Sequence, residues 1–272
     1  MNASTITFGI EIEAIVPIAL TRTLGMFNYS NAKTITAHPK FKVKTDGSVR
    51  TTKPQFTGVE FVSDVLVGQE GVNAVVAFVA WLNYHGVEIN DTCGLHIHVG
   101  IIPNNEIGNR CLIRLFAQHE RAMFASTGTK KRENNQYCQP VTEKYRSLAK
   151  SAKITDMDAA QDIRYRALNL RNITGGRRPT VEFRLFAPTL NAIKILGHIY
   201  TCVGLVEKAY QATRPPAYQR TKPPESGVAS VERLMRCLHW SPRKGGFGVI
   251  DASYVLKIKK EFRRLAEKYD RR

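Results

Sequence analysis

Apolar and ionisable residues alternate in three short segments: Phe8-Gly9-Ile10-Glu11-Ile12-Glu13, Leu95-His96-Ile97-His98-Val99 and Val181-Glu182-Phe183-Arg184-Leu185-Phe186. Strand side chains point to opposite faces in turn, so the pattern predicts three strands. Glu11/Glu13, His96/His98 and Glu182/Arg184 then share faces pairwise, while Ile10/Ile12, Leu95/Ile97/Val99 and Val181/Phe183/Leu185 turn towards a core. A sheet face of carboxylates, imidazoles and a guanidinium is costly to build unless those groups bind something. Their chemistry suggests metal plus phosphate.

The remaining pattern supplies the scaffold. A strand over residues 5–16 is followed by a loop or insert to about residue 40; Phe41–Val43 and the turn Asp46-Gly47-Ser48 suggest a hairpin, with Val59-Glu60-Phe61-Val62 as its return or a following strand. Leu95–Ile101, Tyr165–Leu170 and Thr180–Phe186 read as strands, the last two joined by a long connection over 172–179. Helical spacing covers Val72–Tyr84, Ile107–Phe124, Asn191–Gln211, Val228–Leu238 and Tyr254–Tyr269. Ser126–Pro140 is polar, basic and glycine-containing, and predicts a loop. This order argues for an α+β fold with a largely antiparallel sheet. The prolines from Pro215-Pro216 to Pro223-Pro224 break the pattern. They divide a main domain, residues 1–213, from a Pro-rich linker and basic helical C-terminal appendage, residues 214–272.

Bulk properties narrow the setting. No stretch of the 272 residues approaches the roughly 20 apolar residues of a membrane span. The start, Met1-Asn2-Ala3-Ser4, has no basic region followed by an apolar one, so a secretory signal is not expected. The five cysteines are scattered without C-x-x-C spacing and read as reduced, cytoplasmic thiols. The net charge of +17 favours nucleic acid, another polyanion or phosphorylated ligands as partners, without naming one.

Each charged pair alone has an ordinary explanation. Glu11 and Glu13 could form a solvent-facing polar edge, or could hold a hard cation such as Mg²⁺ or Mn²⁺ through oxygen ligands. His96 and His98 could be one packed and one edge histidine, or could share an ion or a phosphate. Nearby Cys93 invites zinc, but no C-x-x-C companion follows. Glu182 and Arg184 could be a structural ion pair, or a metal ligand beside a phosphoryl clamp. With Glu60 in Gly58-Val59-Glu60-Phe61-Val62-Ser63, the set becomes four carboxylates, two histidines and an arginine, and coincidence explains it poorly. Asp46 reads as a turn residue and Cys138 as a structural thiol.

The order G-x-E-x-E, D-G-S, G-V-E-F-V-S, C-G-L-H-I-H-V, Y-R-A-L-N-L and T-V-E-F-R-L-F, over residues 6–190, resembles the amidoligase family. That family is assigned to the glutamine synthetase-like carboxylate–amine ligases, which include glutamate–cysteine ligases. The resemblance implies a curved sheet of glutamine synthetase-like type with helices packed on one face. It implies ATP and Mg²⁺ (or Mn²⁺) as cofactors, and a carboxylate and an amine as substrates. Glu11, Glu13 and Glu60 would be metal ligands; His98 or His96 would join one ion, and Glu182 would complete its shell. Arg184 would neutralise the transferring γ-phosphoryl group. Tyr165 and Asn169 match a Y-x-x-x-N pattern and would contact nucleotide or substrate. Arg171 shares their face, whereas Arg166 matches but falls on the opposite one. The segment Arg132-Glu133-Asn134-Asn135-Gln136-Tyr137-Cys138 also resembles a family signature, and makes Arg132 and Tyr137 candidates to clamp a substrate carboxylate from a flexible loop.

The expected activity is ATP-dependent amide formation through an acyl phosphate. The same carboxylates could instead serve a metal-dependent phosphotransferase or nuclease, and a nucleic-acid-binding protein could retain the fold. The basic run Lys257-Ile258-Lys259-Lys260-Glu261-Phe262-Arg263-Arg264 fits backbone contacts with a polyanion, but fits a solvated helix face better. Assembly varies among such ligases, which leaves a homo-oligomer open.

Overall fold

Alternation builds the sheet and helical periodicity covers it. The structure is a computed structural model that describes residues 5–26, 32–133, 135–141, 164–173, 179–213, 226–240 and 252–271. In chain order its strands are β1 (Thr7–Pro17), β2 (Lys33–Ile35), β3 (His38–Thr45), β4 (Phe56–Ser63), β5 (Leu66–Val67), β6 (Leu95–Gly100), β7 (Leu168–Asn169) and β8 (Thr180–Phe186). They form one open sheet in the order β2-β3-β4-β1-β6-β8-β7, with β5 paired to the start of β1. Every strand pairing is antiparallel. β1 is therefore central, and both its neighbours can present side chains to Glu11 and Glu13.

The described residues include six helices: α1 (Ile18–Thr23), α2 (Gly68–Tyr84), α3 (Glu106–Ala125), α4 (Ala192–Gln211), α5 (Gly227–Cys237) and α6 (Ala252–Asp270). Side-chain caps fix three of the starts: Asn105, Asn191 and Ser226 accept hydrogen bonds from the N–H groups of Gly108, Lys194 and Ala229. Aromatic contacts dock the helices on the apolar face. Phe78 of α2 stacks on Phe41 of β3 with ring centroids 3.8 Å apart, and Phe116 of α3 meets Phe183 of β8 at 6.0 Å.

Two stretches differ from the pattern-based expectation. The residues before 40 contain α1 and the edge strand β2, too short to announce themselves by periodicity. The strand expected over Tyr165–Leu170 is reduced to Leu168–Asn169. Upstream of it the backbone pairs with Gln139 instead: Gln139 N–H donates to Tyr165 O at 2.8 Å and Ala167 N–H donates to Gln139 O at 2.7 Å.

The Pro-rich segment 214–225 lies outside the described residues, but the helices after it do not. Val231, Leu234 and Met235 of α5 and Ile258, Phe262 and Leu265 of α6 belong to the same core as α3 and α4. Phe262 meets His198 of α4 at 5.3 Å, and Gly197 permits that approach, since a Cβ there would lie 2.6 Å from the Phe262 ring. No helix among the described residues is long and apolar enough to cross a membrane.

His198 is wedged between Phe186 and Phe262, and burial pushes its imidazole down to about 3. His119 is pushed down to about 4 by burial, with Arg233 and Lys208 adding to the effect. The folded chain thus refuses protons that the unfolded chain accepts below about pH 6.5. Their stabilisation is complete above that pH and declines as pH falls towards the folded values, by up to about 1.4 kcal/mol per pH unit for each histidine. Urea midpoints measured from pH 7 to 5 should fall accordingly, and less steeply in His198→Leu. Equal slopes would show that His198 is not the group responsible.

Candidate active site

Strand register turns the scattered acidic residues into one field. Glu13 of β1 lies opposite Glu60 of β4, which lies opposite Lys44 of β3. Glu11 lies opposite His96 of β6. One step along, Gly9 faces His98, which faces Glu182 of β8, which faces Asn169 of β7. Directly opposed residues in antiparallel strands share a face. All line a cleft of about 1160 Å³ except Gly9.

The contacts are close. His96 Nδ1 is 3.1 Å from Glu11 Oε2, and His98 Nε2 is 3.2 Å from Glu11 Oε1 and 3.9 Å from Glu182 Oε1. Asn169 Nδ2 donates to Glu182 Oε2 at 2.7 Å, and the other oxygen of Glu182 receives the Arg184 guanidinium. Lys44 pairs with Glu60. Gly94 packs closely under the site: a Cβ there would lie 3.1 Å from both Glu13 Oε2 and His96 Nε2, which would have to shift.

This donor set fits divalent cations. Three groups, Glu11/His98/Glu182, Glu11/Glu60/His96 and Glu13/Asp46/Glu60, each bring their ligand atoms within 4.8 Å of one another. The buried Nε2 of His98 lies 3.2 Å from Glu11 Oε1 and 3.9 Å from Glu182 Oε1, facing the two carboxylates with which it could share a cation. Oxygen-rich shells with one imidazole suit Mg²⁺ or Mn²⁺.

Electrostatics carry the same message. Burial pushes the Glu60 carboxyl up to about 7, with the Glu11 charge adding to the rise and Lys44 opposing it. Burial likewise raises Glu13. For Glu11, burial is the largest single effect and pushes upwards. The imidazoles of His96 and His98 together outweigh it and hold the carboxyl well below the usual carboxylate range. Burial alone would lower His98, but Glu11 reverses the direction and its imidazole is raised.

The structure gathers Glu11, Glu13, Glu60, His96, His98, Asn169, Glu182 and Arg184 on this face, and Tyr137, Tyr165 and Arg171 around its rim. The Arg184 guanidinium is 5.7 Å from the Tyr165 ring centre, and its Nε donates to Tyr137 O at 3.3 Å. Arg166 does not line the cleft; its guanidinium bonds Gln139 Oε1 at 3.0 Å. Arg132 lines the cleft but corrects an expectation. Its segment is a turn, as a loop would be, but the side chain is buried and its guanidinium donates to the backbone oxygens of Arg184 and Leu185.

Some cleft residues escaped the sequence reading. Asp46 does make the turn, accepting from the Ser48 N–H at 2.8 Å, yet it also faces Glu13 and Glu60. Its place in D-G-S beside the glutamate strands was the available signal. Gly58 allows the loop to fold there, since a Cβ would sit 2.2 Å from Val49 O. Arg50 and Arg164 also line the cleft, and no pattern singled them out.

A cation needs these groups deprotonated, so it must displace protons from Glu60 and His98. Mn²⁺ or Mg²⁺ affinity, followed by calorimetry, should therefore rise between about pH 6 and 8, by roughly tenfold per pH unit for each proton displaced. Glu60→Gln should bind more weakly at the upper pH and show a shallower dependence. A flat profile in the unmodified protein would contradict this assignment.

Comparison with known proteins adds family to geometry. The family model described as "Putative amidoligase enzyme" matches residues 4–206. No curated protein matches the sequence. Among solved structures, the chain is similar to one from the crystal structure of the complex between the prokaryotic ubiquitin-like protein Pup and its ligase PafA. That similarity has 9% identity and a TM-score of 0.46, and covers 98% of this chain and 64% of that one. With three quarters of its length matched by the family model, this chain belongs to the amidoligase family, whose description is that of an amide-forming ligase.

Proposed function

We propose that the chain is an ATP- and Mg²⁺-dependent carboxylate–amine ligase that forms an amide through an acyl phosphate. The observation that carries this reading is the adjacency of two ligand groups sharing Glu11 to the Glu182–Arg184 pair. The proposed cation ligands and phosphoryl clamp would thereby share one face of one cleft.

A carboxylate does not condense with an amine in water because oxide is a poor leaving group. In the proposed reaction a carboxylate oxygen of the substrate attacks the γ-phosphorus of ATP and ADP departs. The amine nitrogen then attacks the acyl carbon, the C–O bond to phosphate breaks, and the amine loses a proton. Glu11, Glu13, Glu60, His98 and Glu182 would hold divalent cations, which neutralise charge on the transferring phosphates.

Arg184, held by its ion pair with Glu182 and its Nε bond to Tyr137 O, would meet that group. Asn169 fixes the second oxygen of Glu182 and so the direction of the first. Tyr165, Arg171 and Tyr137 would contact nucleotide or substrate from the rim. The net charge of +17 extends the proposal to an acceptor carried on nucleic acid or another macromolecule. The proposal includes a cytoplasmic setting, in which the five free cysteines would stay reduced.

ATP consumption screened over carboxylate and amine pools, with mass detection of the amide, tests the activity. Glu182→Gln should lose amide formation while unfolding at nearly the same temperature. Arg184→Lys should lower kcat by about 10³-fold or more, the scale on which arginine stabilises phosphoryl transfer. Undiminished turnover in Glu182→Gln would sink the reading. Phosphodiester cleavage without ATP would instead favour the nuclease alternative.

A further inference from the structure

The pairing of β6 with β8 is irregular at the heart of the site. Leu95 pairs with Phe186 and Ile97 with Phe183, so one residue of β6, His96, faces two of β8, Arg184 and Leu185. This is a β-bulge, which takes backbone groups out of the ladder and re-aims the side chains it carries. The two carbonyls at the bulge are those that Arg132 bonds: Nη2 to Arg184 O at 2.8 Å and Nε to Leu185 O at 3.4 Å.

Arg132 is itself locked. Only 6% of it is exposed, Cys138 Sγ donates to its carbonyl at 3.0 Å, and a Gly94 Cβ would meet its guanidinium at 3.4 Å. The next residue, Glu133, receives the hydroxyl of Tyr269 in α6, and Lys130 lies over the same ring at 5.4 Å. A guanidinium can serve two carbonyls at once through its rigid fork, which an ammonium cannot reproduce. A side chain so engaged is poorly placed to clamp a substrate carboxylate.

We infer that Arg132 is a positioning residue whose buried guanidinium holds the β8 bulge and thereby aims Arg184 into the cleft. The inference deepens the ligase reading and rests on it only for what Arg184 contacts.

The first test needs no ligand. In the protein alone, hydrogen exchange at the Arg184 Nε–H, bonded to Tyr137 O, is followed by NMR in the wild type and Arg132→Lys. Exchange faster by about tenfold or more, with the fold retained, supports the inference, and unchanged exchange overturns it. If Arg132→Lys does not fold, Arg132→Gln, which removes the fork but keeps one donor towards the bulge, is judged by the same two outcomes.

The second test asks whether Arg132 acts through Arg184. Binding of Mg²⁺–AMP-PNP is compared with that of Mg²⁺–ADP, so that the ratio reports the γ-phosphate contact. Arg132→Lys and Arg184→Lys should each remove the preference for AMP-PNP, and the double variant should lose no more than Arg184→Lys alone. Multiplying losses would assign Arg132 an independent contact and overturn the inference. A wild type that does not distinguish the two nucleotides would remove the ligase reading of Arg184. The exchange measurement would still decide the role of Arg132.

Discussion

Four carboxylates, Glu11, Glu13, Glu60 and Glu182, occupy one face of one sheet, and the rest of the site is built around their mutual repulsion. Strand register brings them close to others of the same sign, and burial raises the cost of ionising Glu13 and Glu60. The sheet answers with counter-charges at fixed places. Lys44 stands opposite Glu60, the two histidines flank Glu11, and Arg184 grips Glu182. The compensation is uneven: Glu11 is held ionised, whereas burial leaves Glu60 near neutrality. Divalent cations would relieve that imbalance, which is why the cluster reads as a metal cradle instead of an ion-pair network.

The apolar side of the sheet serves this face indirectly. Phe41, Phe61, Ile97 and Phe183 are buried under the helices, so the strands that carry the ligands are pinned from behind. The C-terminal helix reaches further. Phe262 packs against His198, and Tyr269 holds the turn that presents Arg132. A residue from a segment without catalytic patterning thus supports the arginine that braces β8. The fold and the site share one mechanical frame.

How much was legible beforehand depends on range. The pairs on β1, β6 and β8, and the companion Glu60, could be found because a period of two is a local property. Family resemblance added an order and a chemistry, and the family match agrees with it. Arg132 was legible as a residue but not in its environment: a polar, glycine-containing stretch predicts a loop, not a buried guanidinium bonded to a strand more than 50 residues away. Asp46 was hidden by the adequacy of its local explanation, since the turn hydrogen bond to Ser48 is real and accounts for the residue by itself. The partial strand at Tyr165–Leu170 misled in the other direction, because alternation persists where pairing has passed to Gln139.

The sequence by itself determined which side chains share a face, where the five longer helices run, and that an acidic and imidazole-bearing surface must bind something charged. These follow from backbone periodicity and from the cost of unpaired charge, both of which act over a few residues. Only the tertiary structure decided that Glu13 meets Glu60, that His98 lies between Glu11 and Glu182, and that a bulge at Arg184 is braced by Arg132. Register and bulge placement depend on which strands pair and where one residue is set against two. That choice is made by the packing of the whole sheet, not by any single strand.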